Sequence, residues 1–437
     1  MTATLVAILS LAVLGIPIAL AVDRRARGPL LIGTAFLYGS GTMYFVLLTL
    51  SIAHIRWTLI SVTIASLIVF CVAALIARRQ SDDVASQQTK LHLLDLVTLF
   101  TIVCYTLYAT LAPLWEWDFW AIWGLKARTF LEIDGIDWRF LESRWNTFTH
   151  PDYPLLVPLN YDFVALLNGG WSDRWMGLTC VAWAVALALV ARSLAARETT
   201  PFFAALLAML VAALGFSRYV GLAEGALIAF GGAGVLFVRA ALLDDDDVSW
   251  RHAALMLGFA ANCKNEGLAL LVAVTIAVVA TSWSRAPVRL RKLAPAYLLA
   301  APWLILRAAH TLPTDIVEGS AISRLLVRLP HAHQILMFLA EELTKPWFWI
   351  AILIGILLAP ARRRERFTYL VTAIQCVFYV AVYFITPNGL RWHVLSSWPR
   401  LTAQIAVPIT FAVFLMLANS LLAEEDAPHA EAGFDEY

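Results

Sequence analysis

The sequence predicts an all-α polytopic membrane protein, and three observations carry that expectation. Of its 437 residues, 61% are hydrophobic and only 14% charged, with a mean hydropathy of +0.75, whereas soluble domains hold about 45–50% apolar residues. Apolar runs close to the roughly 20 residues that cross a bilayer recur along the whole chain. Basic residues, finally, fall into alternate loops between those runs.

The first run, 4–22, lacks a cleavage-type ending and is followed at once by another, so it is expected to remain as a span. Further runs lie at 29–50, 58–77, 93–114, 175–195, 201–219, 226–242, 266–283, 293–309, 347–360, 367–386 and 402–422. A shorter one, 252–263, is broken by Lys264, Asn265 and Glu266. Counting it gives about thirteen transmembrane helices. The organisation expected is a set of N-terminal extra helices over 1–92, a module over 93–310, a C-terminal module over 311–422 and an acidic tail over 423–437.

Arg24, Arg25 and Arg27, then Arg78, Arg79 and Lys90, Arg192 and Arg197, Arg239 and Arg251, Arg285 to Lys292, and Arg362 to Arg366 mark the cytoplasmic loops. That register puts the N-terminus outside and the acidic C-terminal tail in the cytoplasm, and it turns the loops 115–174, 310–346 and 387–401 outward. The cell inner (plasma) membrane, with the site facing the periplasm or the outside, is the matching location. A net charge of +1 gives no basis for nucleic-acid binding. The five cysteines stand singly in apolar runs, so neither a disulfide framework nor a zinc site is expected.

The outward loops hold the chemistry. Trp115, Glu116, Trp117, Asp118 and Trp120, with Trp123, Lys126 and Arg128 behind them, follow the run that ends at Leu114. Indole rings favour the headgroup level, so Glu116 and Asp118 are expected at the membrane surface, where a lipid-linked substrate meets an acid or base. Thr149-His150-Pro151-Asp152-Tyr153-Pro154 leads into a segment, 160–168, expected to lie along the interface or to enter only part way. His150 and Asp152 are equally explained as a capped turn before that helix.

Glu224 and the Lys264-Asn265-Glu266-Gly267 turn fall at the outer ends of spans. Ionisable residues there read either as functional groups or as Arg218–Glu224 and Lys264–Glu266 pairs stitching helices together. In the last outward loop, Arg391, His393 and Arg400 are donors anchored by Trp392 and Trp398. Guanidinium forks suit phosphate oxygens, though arginines snorkelling to lipid phosphates would look the same.

Taken together, the acidic site in the first outward loop, the H-P-x-x-P-L-like segment, the next outward acidic residue, the K-x-E-G-like turn and the late basic loop resemble the GT-C superfamily. These are membrane glycosyltransferases using polyprenyl-phosphate sugars, such as protein O-mannosyltransferases and the lipid A aminoarabinose transferase. The resemblance covers roughly 93–400 and implies a GT-C-like fold with interfacial helices in the first large outward loop. It implies Asp118 as general base, Glu116 as its acidic neighbour and Glu224 as a second acidic position. Lys264, Arg391, His393 and Arg400 become donor-phosphate contacts. Trp117, Lys126, His150, Asp152, Tyr153 and Glu266 become substrate contacts.

A divalent metal, magnesium or manganese, held by Asp118 and Glu224 stays open. The implied partners are a polyprenyl-phosphate sugar donor, a glycan, lipid or protein acceptor, and membrane lipids. Large C-terminal soluble domains of better-known members have no counterpart here. Two other readings remain: a ligase or polymerase of lipid-linked glycans centred on arginines and His393, and a lipid or sugar transporter, which would carry its charges near mid-span.

Overall fold

A computed structural model of the chain describes residues 1–79, 90–111, 113–114, 116–215, 221–314, 321–343, 347–358 and 364–425. Trp115, Arg218, Arg362, Arg363 and the tail from 426 onward lie outside the described residues. Within them the secondary structure is entirely helical.

Helices α1 (Thr2–Val22), α2 (Gly28–Ile52), α3 (Leu59–Arg78) and α4 (Leu94–Leu111) come first. The large loop then folds as a π-turn (Phe119–Trp123), α5 (Gly124–Glu132), α6 (Trp138–Glu142), a 3₁₀ turn (Arg144–Thr149) and α7 (Leu156–Asn168). After it come α8 (Gly177–Ala195), α9 (Pro201–Gly215), α10 (Ala223–Asp244), α11 (Asp247–Ala260), α12 (Asn265–Thr281) and α13 (Ala286–Ala309). The last group is α14 (Ala321–Arg328), α15 (Ala332–Leu343), α16 (Trp347–Leu358), α17 (Arg366–Ile385) and α18 (Leu390–Glu425).

Every apolar run of the sequence coincides with a helix. Among the described residues eight helices are long and apolar enough to cross a membrane, or nine when α12 and the following segment, bent by 111° at their junction, count as one broken span. The expected number of about thirteen also counts α9, α11 and α16, which fall short of that length within the described residues, and takes α12 and α13 as two spans. At 1.5 Å per residue a 14-residue helix such as α11 covers roughly 21 Å, less than the roughly 30 Å hydrocarbon core.

Helices α2, α8 and α10 are enclosed by others, while α3 and α4 turn most of their surface outward. Their outward residues, among them Ile60, Ile64, Leu67, Leu99 and Phe100, are apolar, which suits lipid and not water. The chain is a membrane protein. Small residues let α1 and α2 touch: a Cβ on Gly39 would lie 1.7 Å from the Leu11 carbonyl oxygen, and one on Gly15 1.8 Å from that of Ala35. Close backbone approach replaces the hydrophobic force that lipid cannot supply between helices.

Polar side chains tie the centre. Ser40 donates to Asn160 Oδ1 at 2.8 Å and accepts from Trp183 Nε1 at 2.9 Å, while Tyr44 donates to Asn262 at 2.9 Å. Helix α7 therefore does not lie flat on a surface. Leu156 through Ala165 are buried, and Asn160 meets Ser40 halfway along α2, so the segment enters the bundle part way.

The charges separate to two ends. At one, Arg239 pairs with Glu198 and Glu365, both at 2.5 Å, and Arg364 joins Glu198 at 3.1 Å. Arg192–Asp95, Arg285–Asp245 and Lys292–Asp247 pairs join helices in the loops that the sequence marks as cytoplasmic. Glu224 begins the same helix, α10, that Arg239 nearly ends. Fifteen residues of helix set the two charges roughly 22 Å apart.

Candidate functional site

The first loop leaves α4 and tightens at once. The Glu116 carbonyl accepts from the Phe119 and Trp120 amides at 3.0 and 3.1 Å, and the Trp120 indole donates to the Leu114 carbonyl at 2.9 Å. Phe119 is buried, stacked on Trp171 with ring centroids 6.1 Å apart. Asp118 stands immediately before the π-turn, its side chain making no capping bond to it. Such turns insert an extra residue per turn and re-aim the side chains around them, and here the Asp118 carboxylate faces the start of α10 and the third turn of α18.

There Arg400 Nη2 donates to Asp118 Oδ2 at 2.5 Å and to Glu224 Oε1 at 2.6 Å, while Arg400 Nε reaches the same Glu224 oxygen at 3.0 Å. Lys264 Nζ lies 3.1 Å from Glu224 Oε1 and 2.8 Å from Glu266 Oε1. Asp118, Arg400, Glu224, Lys264 and Glu266 thus form a chain of alternating sign. Alternation suits an enclosed site, since a buried charge without a partner is costly. Glu224 is fully enclosed, whereas Asp118 and Arg400 keep 21% and 27% of their side-chain surface open.

The turn holding Lys264 is tight. A Cβ on Gly267 would stand 1.9 Å from the Ala260 carbonyl oxygen, so only glycine lets α12 double back against α11 and aim Lys264 at Glu224.

The five residues line one cavity of about 280 Å³, together with His150, Tyr153, Tyr379, Asn388, His393, Ser396 and Ser397. Apolar Ala269, Phe378, Val382 and Leu401 complete its wall. His393 and Arg400 share a face because seven residues are close to two helical turns.

Arg391 does not join them. The sequence reads 387–401 as a loop, but α18 already begins at Leu390. A nine-residue spacing in a helix puts Arg391 opposite Arg400 and roughly 13.5 Å away along the axis. Arg391 is 64% exposed and pairs with Glu341 at 3.1 Å.

Among the remaining expected residues, His150 stacks on Tyr153 and both face the cavity. Asp152 sits behind it, buried, accepting from Asn265 Nδ2 at 3.0 Å with Arg307 at 3.5 Å. Lys126 is buried and donates to the His150 carbonyl at 2.6 Å. Glu116 and Trp117 are outside the cavity lining, and Trp117 is exposed. Trp123, expected at the interface, is enclosed against Tyr153. Tyr379 and Arg307 were not singled out in the sequence. Arg307, near the end of an apolar run, was a readable signal; Tyr379, inside one, was not.

The pair open to magnesium or manganese, Asp118 and Glu224, holds the Arg400 guanidinium between its members. Among the described residues no three His, Cys, Asp or Glu side chains are placed to share an ion.

Burial pushes the Lys126 ammonium down to about 7, while the charge of Asp152 pulls it up. An unfolded lysine titrates near 10.4. Between those values the unfolded chain holds a proton that the folded one lacks, so stability rises with pH by up to about 1.4 kcal/mol per unit and levels off above the unfolded value. Melting of the purified protein from pH 7.5 to pH 9.5 should show the rise, and Lys126→Met should flatten it. An identical slope in the variant would remove Lys126 as its source.

Compared with family models, with curated proteins and with solved structures, the chain matches none, so the reading of its function rests on the residues of this cavity.

Proposed function

We propose that the protein is a glycosyltransferase of the GT-C kind that moves one sugar from a polyprenyl-phosphate donor to a hydroxyl of a glycan, lipid or protein acceptor. The observation that carries this reading is a carboxylate, Asp118, and two cations, Arg400 and Lys264, on one small cavity with an apolar flank. Asp118 takes the proton of the acceptor hydroxyl as its oxygen bonds to the anomeric carbon. The bond from that carbon to the phosphate oxygen breaks, its electron pair stays on the phosphate, and Arg400 and Lys264 stabilise the charge. Attack opposite the leaving group inverts the anomeric centre.

The membrane setting fits the same chemistry. All thirteen apolar helices belong to the membrane domain in this proposal, with α9, α11 and α16 as short elements in it. The end rich in Arg192, Arg239 and Arg285 faces the cytoplasm, so the cavity faces the outside of the plasma (inner) membrane, with the N-terminus outside and the C-terminus inside. Phe378 and Val382 on α17 then guide the prenyl chain.

Two observations weigh against the other readings. Carboxylates at helix ends are not where a transporter carries coupling charges. A volume of about 280 Å³ lies at the lower edge of ligand pockets, roughly 300–1,000 Å³, which suits a single sugar better than the whole glycan of a ligase, although His393 lines this cavity too. The test is transfer in proteoliposomes from radiolabelled polyprenyl-phosphate monosaccharides beside pyrophosphate-linked glycans. Label transfer from the monophosphates alone is expected. Transfer from the pyrophosphate-linked glycans alone would move the assignment to a ligase, and transfer from neither would overturn it.

A further inference from the structure

Glu224 and Glu266 are each half used. Lys264 Nζ holds Oε1 of both, at 3.1 and 2.8 Å, and both residues line the cavity. The second oxygen of each, Oε2, is buried and has no hydrogen-bond partner among the described residues. Buried acceptors are seldom left unmade, because the lost hydration is not replaced. Two such oxygens flanking one lysine, at the wall of one cavity, mark a place for a ligand that donates.

The balance of charge points the same way. Three carboxylates face two cations along this wall, so the unpaired oxygens of Glu224 and Glu266 turn a phosphate away, and the open side of Arg400 receives it, with His393 on the same face and the Lys264 charge behind. A divalent cation would also satisfy carboxylate oxygens. Lys264, however, already stands between them and opposes a second positive charge.

Resting on the glycosyltransferase reading, we propose that Glu224 and Glu266 form the sugar subsite, their Oε2 atoms accepting hydrogen bonds from hydroxyl groups of the transferred sugar. Arg400 and His393 contact the phosphate, and Lys264 adds its charge from behind. The pair therefore sets which sugar is accepted, through the placement of its hydroxyls.

The full-length protein in detergent is titrated with polyprenyl monophosphate, with polyprenyl-phosphoryl hexoses of gluco, manno and galacto configuration, and with their monodeoxy analogues. At least one hexose donor should bind roughly tenfold more tightly than the bare monophosphate, about the worth of one good hydrogen bond to a charged acceptor. Glu266→Gln and Glu266→Asp should both lose that advantage while keeping the affinity for the bare monophosphate. A ratio unchanged in both variants overturns the sugar subsite, as does an advantage that vanishes in the wild type on adding a chelator.

Methyl hexosides at high concentration provide a readout independent of the donor reading. If no polyprenyl ligand binds the wild type, yet a methyl hexoside raises its melting temperature and fails to raise that of Glu266→Gln, the subsite stands and the donor assignment falls. Absence of both effects overturns the subsite.

Discussion

Asp118→Asn should lower sugar transfer by roughly 10²–10⁴-fold, the usual contribution of a positioned base, and leave the folded protein nearly as stable as before. Asparagine keeps the size of the side chain and an oxygen that can accept from Arg400 Nη2, now 2.5 Å from Asp118 Oδ2. What it loses is the ability to take a proton. The Asp118–Arg400 pair is partly open to solvent, at 21% and 27%, and Arg400 keeps Glu224 as a partner at 2.6 Å, so the variant leaves no charge unpaired. Rate and stability therefore separate in this variant.

The measurement is transfer from a polyprenyl-phosphate donor beside thermal melting of the same preparation. Glu116→Gln is the neighbouring control: its side chain is outside the cavity lining, so near-normal turnover is expected. Should Asp118→Asn turn over normally while Glu116→Gln does not, the base has been placed on the wrong carboxylate. Should both turn over normally, the first loop supplies no base at all.

The charged end of the site was legible because charge inside an apolar chain is expensive. Asp118, Glu224, Lys264 and Arg400 lie 282 residues apart at the extremes, yet each stands at an end of an apolar run, and ends on one side of a membrane are the places where such groups can meet. Periodicity was not needed for this. Alternation of the arginine clusters supplied the common side.

What could not be read was the helical state of polar segments. The stretch Leu390 to Arg400 carries His393, Ser396, Ser397 and Pro399 among two tryptophans, which looks like a loop by composition. It is helical, and the switch from loop to helix decides that Arg391 faces away while His393 faces inward. Helix α7 shows the opposite difficulty. The sequence left it either along the interface or part way in; its Asn160 amide donates to the Ser40 and Leu156 carbonyls at 3.1 and 2.8 Å, which settles it inside the bundle. A polar side chain satisfied from within its own helix and from one neighbour no longer resists burial.

Glu224→Gln should behave unlike Asp118→Asn, losing stability and activity together. Its Oε1 accepts from Arg400 Nε, Arg400 Nη2 and Lys264 Nζ, and none of its surface is open. Glutamine keeps one acceptor oxygen but no charge, so two cations on one atom lose the group that neutralises them. Removing one partner of a buried pair costs about 3–5 kcal/mol, a large part of a total stability of about 5–15 kcal/mol. A lower melting temperature and poorer yield are expected, with transfer abolished because Arg400 is no longer held beside Asp118. Adding Lys264→Met to this variant distinguishes the two effects. With one cation gone, part of the stability should return, whereas transfer should not, since the leaving phosphate has lost a partner. Recovery of transfer along with stability in the double variant would show that Lys264 and Glu224 only stitch α10 to α12, and a Glu224→Gln protein that melts like the wild type would show that the buried pair is not charged as drawn.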